Sequence, residues 1–308
     1  MLTACVDSLV RQTYHQFEII VVDQAKDSRL EGILRRYFNN DAKIRYVRVV
    51  SAGAARARNI GVTRAKGAIV AFIDDDAVAE PMWLHAVAEA FSDEPTPALM
   101  AGRLLPMWTG RRPEWYPKQR EYLLGLYDIG DEPCPLPEAD LPIGANMAGL
   151  REVILSAGGF DERLGPNYFR KRKMLTGEET ILGQRIRSSR YRIVYQPFAI
   201  VRHRVSSHKQ TRGYFLKRHF WEGVTVIEQM DLMGKIGPDT SPFYRFHCRE
   251  LCMALARFAL PRYRNNYSDS NVVIRMLALS RVAYSLGVMY GLNTRHTDTV
   301  PASTCASA

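Results

Sequence analysis

Cysteine is scarce in this chain. Its 308 residues hold five, Cys5, Cys134, Cys248, Cys252 and Cys305, an odd, scattered set that builds no disulfide framework and suits a reducing compartment. Uninterrupted apolar runs of membrane-spanning length are missing. The best candidate, residues 271–293, carries Arg275 and Arg281 inside it, which argues against an integral membrane protein. The N-terminus shows no basic stretch leading into an apolar segment, so no secretory leader is read there and a cytoplasmic location is expected. Internal repeats are absent, and 21 glycines and 16 prolines are ordinary counts, which excludes collagen-like and low-complexity classes. What is present is a globular composition, 46% hydrophobic against 24% charged, enough to bury the core of one large or two modest α/β domains.

Acids are scarce in one region. Residues 163–219 hold 15 lysines and arginines against Glu178 and Glu179, so this stretch carries +13 of a total of +10 and the rest of the chain is about −3. Such a region attracts anions (phosphorylated substrates, acidic headgroups, nucleic acid) or is simply a solvated basic face. A pI near 9.4 alone raises the nucleic-acid reading. No zinc-finger, RNP or helix-turn-helix signature supports it, so no nucleic-acid partner is expected.

The first hundred residues alternate between two periods. Residues 2–10 are apolar at helical spacing, and 17–23 (FEIIVVD) form a short apolar run closed by an acid. Residues 30–38 read as a helix, 44–50 as a strand, 53–66 as an Ala- and Arg-rich helix, and 68–73 as a second buried strand. Pro81 then suits the first turn of a helix reaching about residue 91. Strands alternating with helices predict βαβ units and a mostly parallel sheet whose ligands sit at the strands' carboxyl ends. That rule sends Asp23 and Asp74 toward one crevice. Residues 106–142, with seven prolines, read as a long loop over the sheet edge. A helix at 178–188, a strand at 191–201 and three helices at 211–230, 243–260 and 272–290 follow.

Asp74, Asp75 and Asp76 stand directly after the buried strand AFI. Three adjacent carboxylates need a cation or strong donors nearby, and clustered hard oxygens suit Mg²⁺ or Mn²⁺. An acidic turn ahead of the Pro81 helix is the plainer alternative. Glu178 and Glu179 read either as a catalytic pair or as two acids favoured by a helix N-terminus. Trp108, Trp115 and Tyr116 read as sugar-stacking rings or loop anchors, and Cys248 and Cys252 as buried thiols on one helix face.

FEIIVVD, ARARNIGVTRAKGAIVAFIDDDAVAEPMWL, IGANMAGLREVILSAGGFDERLG and GEETILGQRIRSSRYRIVYQPFAIVRHRV occur in that order. Together they resemble the inverting family 2 glycosyltransferases of the GT-A fold. The resemblance implies an α/β domain with a Rossmann-like, mostly parallel sheet flanked by helices, followed by a helical extension. Residues 1–105 would be its nucleotide-sugar-binding half and 106–205 its acceptor-binding and catalytic half, with helices over 206–296 and a disordered tail at 297–308. It implies a donor site at Asp23, Arg58, Asp74 and Asp75, with Asn146 in the wall between donor and acceptor. Asp76 and His203 would hold Mn²⁺ or Mg²⁺, Glu179 would be the catalytic base and Glu178 its neighbour in the family's acidic pair. The family's usual Asp at position 179 is a Glu here, and its first strand has no counterpart, since Met1 falls in what would be the helix after it.

The function so implied is metal-assisted, inverting transfer of a sugar from a nucleotide-diphospho-sugar, UDP-linked by family habit, in cell-envelope or polysaccharide biosynthesis. The acceptor would be a glycan or a lipid-linked saccharide. The basic C-terminal half would suit peripheral attachment to an anionic membrane surface on its inner face. The alternative is a catalytically degenerate relative that binds nucleotide sugars, a reading the absent strand favours and the retained acids and His203 oppose.

Overall fold

The computed structural model describes residues 1–25, 29–39, 41–49, 53–166, 174–259 and 271–294. Helix α1 (Leu2–Val10) buries Cys5, Val6 and Leu9, one face at helical spacing. β1 (Ile19–Asp23), α2 (Arg29–Tyr37) and β2 (Ile44–Arg48) form a βαβ unit, with the strands parallel from Ile19↔Ile44 to Asp23↔Arg48. α3 (Ala54–Arg64) then leads to β3 (Ile69–Ile73), β4 (Ala77–Ala79), α4 (Trp83–Ala90) and β5 (Leu99–Trp108). After these come β6 (Cys134–Pro135), β7 (Asn146–Leu150), α5 (Arg151–Ser156), α6 (Glu178–Ser188) and β8 (Ile193–Val205).

The central sheet runs β3-β7-β5-β8-β4, with β6 also paired to β8; β1 and β2 make a separate two-stranded sheet. Among the described residues only the β1–β2 and β5–β8 pairs are parallel, so the central sheet is mixed rather than mostly parallel. The cause is β7, which inserts antiparallel between β3 and β5. Its sequence NMAGL is poor in β-branched residues and reads as a turn. Burial on both faces makes it a strand: Met147 and Leu99 point into one core and Ala148 and Met100 into the other. The core of Ala148 and Met100 packs under α1 and α4 with Trp83 and Val87; that of Met147 and Leu99 packs under α3, α5 and α6 with Val62, Ile154 and Leu182.

The expected loop at 106–142 is shorter than its prolines indicate. β5 continues through Pro106 to Trp108, and a 3₁₀ helix occupies Lys118–Leu124. Pro106 is tolerated where β5 runs beside β8, opposite His203. The expected division at 105/106 therefore falls inside β5, whereas that at 205/206 falls at the end of β8.

Two compact units emerge. Met1–Arg112 with Lys118–Gln210 carries both sheets, and the second unit joins Pro113–Pro117 to the described chain from Thr211 on. The second unit holds α7 (Arg212–Leu232), α8 (Ser241–Ala259) and α9 (Asn271–Thr294). Gly223 of α7 lies against the Tyr284 carbonyl, and Gly287 of α9 against the Phe220 carbonyl, so a Cβ at either would strike backbone. Tyr116 is buried with its ring 5.0 Å from that of Phe215, and Trp115 packs edge-on to the same ring beneath Arg212. Both are anchors of this unit. Cys248 and Cys252 are exposed, against the expectation of buried thiols, because α8 turns His247 and Ala254 inward instead. The tail expected at 297–308 lies outside the described residues.

Candidate active site

β3 ends at Ile73 and delivers the three aspartates to one end of the sheet. The turn they make is held by backbone: Ala77 N–H donates to the Asp74 carbonyl at 3.1 Å and Arg204 N–H to the Asp76 carbonyl at 3.1 Å. β4 then pairs antiparallel with β8 in a register that sets Ala77 opposite His203. Strand pairing thus brings His203 to the aspartates across 127 positions of sequence, with Nε2 3.1 Å from Asp76 Oδ1. Its other nitrogen, Nδ1, lies 2.8 Å from the Leu124 carbonyl. A carbonyl only accepts, so Nδ1 carries the proton and Nε2 is left facing a carboxylate. Two acceptors at that distance require a cation between them, a proton or a metal ion. Gly125, at φ +73°, sits against this ring, where a Cβ would come within 2.9 Å of it.

Asp74, Asp76 and His203 offer ligand atoms within 4.8 Å of one another. Two carboxylates and an imidazole are a fitting donor set for Mn²⁺ and a serviceable one for Mg²⁺. Asp76 is held below the usual carboxylate range: burial opposes this, but the hydrogen bond and charge of His203 prevail, helped by Lys209 at 3.5 Å. Asp75 is exposed, and its carboxyl is raised by local desolvation and then by the charges of Asp76 and Asp74.

A second cluster adjoins the first through Arg58. From the middle of α3 its guanidinium bonds Glu178 through Nη1 and reaches Asp74 Oδ1 at 3.2 Å through Nη2. Gly144 crosses directly over it, where a Cβ would stand 2.5 Å from Nη2. Glu178 and Glu179 open α6 behind Gly177, which caps the helix at φ +90°. Glu178 is only 2% exposed, and Glu179 accepts a long bond (3.4 Å) from Gly144 N–H. Burial, and next the adjacent Glu178 carboxylate, push Glu179 up to about 8, while Arg58 pulls it down.

Arg58, Asp74, Asp76, His203, Glu178 and Glu179 therefore form one continuous network. Asp75 is exposed beside it, and two further expected residues stand apart from it. Asp23 is buried and accepts from the Tyr46 hydroxyl and, at 2.8 Å, from Ala25 N–H. Asn146 is fully buried and its amide is consumed internally. It donates to the Arg103 and Ala199 carbonyls at 2.8 and 2.7 Å and accepts from Trp83 Nε1 at 2.9 Å. These bonds lock β7 to β5, β8 and α4. Among the described residues of the basic stretch, Arg163 and Arg185 pair with Asp161, Arg187 binds the carbonyls of 137, 138 and 140, and Lys209 binds Asp76.

One supporting residue escaped the sequence reading. Asn59, next to Arg58, grips Phe160 at both ends, donating to its carbonyl at 2.9 Å and accepting from its N–H at 2.8 Å. Gly159, at φ +67°, makes room, because a Cβ there would lie 2.6 Å from the Asn59 amide oxygen. The adjacency of Arg58 and Asn59 in ARN and the doubled glycine of GGF were the available signals.

Comparison with known proteins agrees with this geometry. A curated glucosyl-dolichyl phosphate glucuronosyltransferase from Haloferax volcanii is 25% identical over 294 residues, covering 94% of this chain and 90% of that protein. A mannosyltransferase from Pyrobaculum calidifontis, solved with GDP-Man and Mn²⁺, superposes with a TM-score of 0.61 at 16% identity, over 94% of this chain and 83% of that one. GalNAc-T7, solved with UDP, GalNAc and Mn²⁺, gives 0.54 at 16% identity over 95% of this chain, which spans 54% of that protein. These two share the fold, which is GT-A. The sequence pattern of glycosyl transferase family 2 matches residues 1–155, just over half of the chain, and the protein belongs to that family.

Proposed function

We propose that this glycosyltransferase moves a sugar, with inversion, from a nucleotide-diphospho-sugar to a lipid-linked acceptor at the inner face of a membrane. The observation that carries the reading is the junction at Arg58, where a cation-binding cluster meets a buried acidic pair. The chemistry needs two things side by side: neutralisation of the departing diphosphate, and a base for the acceptor hydroxyl. A divalent ion held by Asp74, Asp76 and His203 would supply the first.

The chain's own residues supply the second. Glu179 takes the proton as the acceptor oxygen bonds the anomeric carbon and the bond to the diphosphate breaks. A single displacement of this kind inverts the anomeric centre. Arg58 pairs with Glu178, so the neighbouring carboxylate has a guanidinium of its own and Glu179 does not share it equally. The raised affinity of Glu179 for a proton makes it a stronger base once it is ionised. Gly144 N–H holds its oxygen in place.

The lipid-linked acceptor draws support from the Haloferax relative, whose name places glucosyl-dolichyl phosphate as its substrate. The nucleotide is open between uridine and guanosine, since the two structural neighbours were solved with UDP and with GDP-Man. A thermal-shift panel of UDP, GDP and dTDP with Mn²⁺, Mg²⁺ or chelator decides the donor. Stabilisation by one nucleotide, requiring metal, is the expected result, and silence across the panel would count against the reading.

A further inference from the structure

The second unit contains an apolar helix that its own unit does not bury. The segment Val272–Thr294 of α9 is long and apolar enough to cross a membrane, yet only 39% of it is buried. Its inner face is spoken for: Gly287 and Gly291 lie against α7, at Phe220 and at Val224 and Ile227. The outer stripe runs Val272, Arg275, Leu279, Val282, Leu286 and Tyr290, at spacings of three and four that keep it on one side. Helical rise makes that stripe about 27 Å long. α8 exposes Arg245 and Arg249 along one face, with Phe246 and Leu255 at its two edges. Phe246, Leu255, Val272, Leu286 and Tyr290 are each between 42% and 59% exposed, too much apolar surface on one helix pair to leave in water.

Charge selects the occupant. The two helices expose Arg245, Arg249, Arg275 and Arg281 among their described side chains, against one acid, Glu250. A second copy of this chain would set arginine against arginine. Spanning would take Arg275 and Arg281 into hydrocarbon. An anionic bilayer surface satisfies both demands, because apolar side chains enter the acyl boundary while the arginines reach lipid phosphates.

We propose that the outer faces of α8 and α9 form an interfacial platform that seats this protein on anionic lipid. The proposal deepens the lipid-linked acceptor reading by naming the surface that meets the membrane. It concerns lipid binding without donor or acceptor, so it can fail while transferase activity stands.

The test is flotation of the full chain with phosphatidylglycerol-containing vesicles and with pure phosphatidylcholine vesicles, at low and high salt, with light scattering for oligomeric state. Binding to the anionic vesicles alone is expected. The pair Arg245→Gln/Arg275→Gln should weaken it by roughly fivefold per arginine. Val272→Glu/Leu286→Glu, whose side chains are exposed and should leave folding intact by circular dichroism, should abolish it. Three results would overturn the proposal: no flotation, flotation untouched by either pair, or a dimer dispersed by Val272→Glu/Leu286→Glu that ignores vesicles. Release only by detergent would show that α9 inserts, which also overturns it.

Discussion

Arg58 reaches Glu178 across 120 positions of sequence and joins it to Asp74, so one guanidinium ties the end of β3 to the start of α6. Both members of the Arg58–Glu178 pair are largely shielded, with side-chain exposures of 14% and 2%. Replacing Arg58 by Met leaves a buried carboxylate without its cation, which costs about 3–5 kcal/mol. Urea denaturation should show that loss in Arg58→Met and a partial recovery in Arg58→Met/Glu178→Gln. Additive losses in the double variant would mean the two side chains stabilise the fold independently. Arg58→Lys should not restore the network, since an ammonium lacks the fork that meets two carboxylates at once.

The same geometry divides labour between the glutamates. Glu179→Gln keeps size and hydrogen bonding but removes the base, so turnover should fall by roughly 10²-fold or more with nucleotide affinity unchanged. Glu178→Gln should act through stability and through Glu179, because its carboxylate is bound by Arg58 and is almost unexposed. That burial disfavours a contact between Glu178 and an acceptor. Steady-state kinetics and nucleotide titration on both variants decide the matter. A dead Glu178→Gln beside an active Glu179→Gln would reverse the assignment.

Much of this site was legible before any coordinates. Asp74–Asp76 after an apolar strand and Glu178–Glu179 after a glycine carry local signals, since strand ends and helix starts concentrate function. α1 and α6 emerge with the expected bounds and β1 within two residues of them, because their apolar spacing decides them. What stayed hidden is non-local. Whether a run without β-branched residues such as Asn146–Leu150 becomes a strand depends on two cores closing over it, and the same closure turns the Asn146 amide onto backbone carbonyls. Proline counting misjudged β5, where Pro106 runs on toward the strand's end. The Arg58–Glu178 bridge has no sequence signature at all; only the packing of α3 against the loop that Asn59 clamps produces it.

The pH dependence follows from Glu179. Its folded carboxyl lies near 8, above its ordinary value of 4.5, so the free enzyme holds this proton at neutrality. A base must be ionised to act, so kcat/KM should climb with pH and level off above about 8. Arg58 lowers the Glu179 value by its charge, so Arg58→Met should move this limb to higher pH. Stability runs the other way. A group whose folded value is raised contributes stability that is complete below its unfolded value and lost as pH rises toward 8. Glu179→Gln should therefore flatten the decline of stability between about pH 4.5 and 8 that wild type shows. A wild-type profile flat across that window would place the base elsewhere.

The metal cluster gives the remaining test, and His203 is its sharpest probe. Its Nδ1 proton is committed to the Leu124 carbonyl, so Nε2 is the nitrogen that faces Asp76, across a proton or a metal ion. If a divalent ion belongs there, Mn²⁺ should raise the melting temperature of wild type on its own, and a nucleoside diphosphate should add to it. At a hundredfold excess over Kd, each bound species contributes about 2.7 kcal/mol. Asp76→Asn and His203→Ala should lose the metal-dependent part. Asp23→Asn serves as the control, because Asp23 lies outside the cluster and bonds Tyr46 and Ala25 instead. It should keep the response to Mn²⁺ alone. Equal stabilisation of wild type by the nucleotide in chelator and in Mn²⁺ would remove the metal from the reading. The proton shared by His203 and Asp76 would then be the cation that the pair needs.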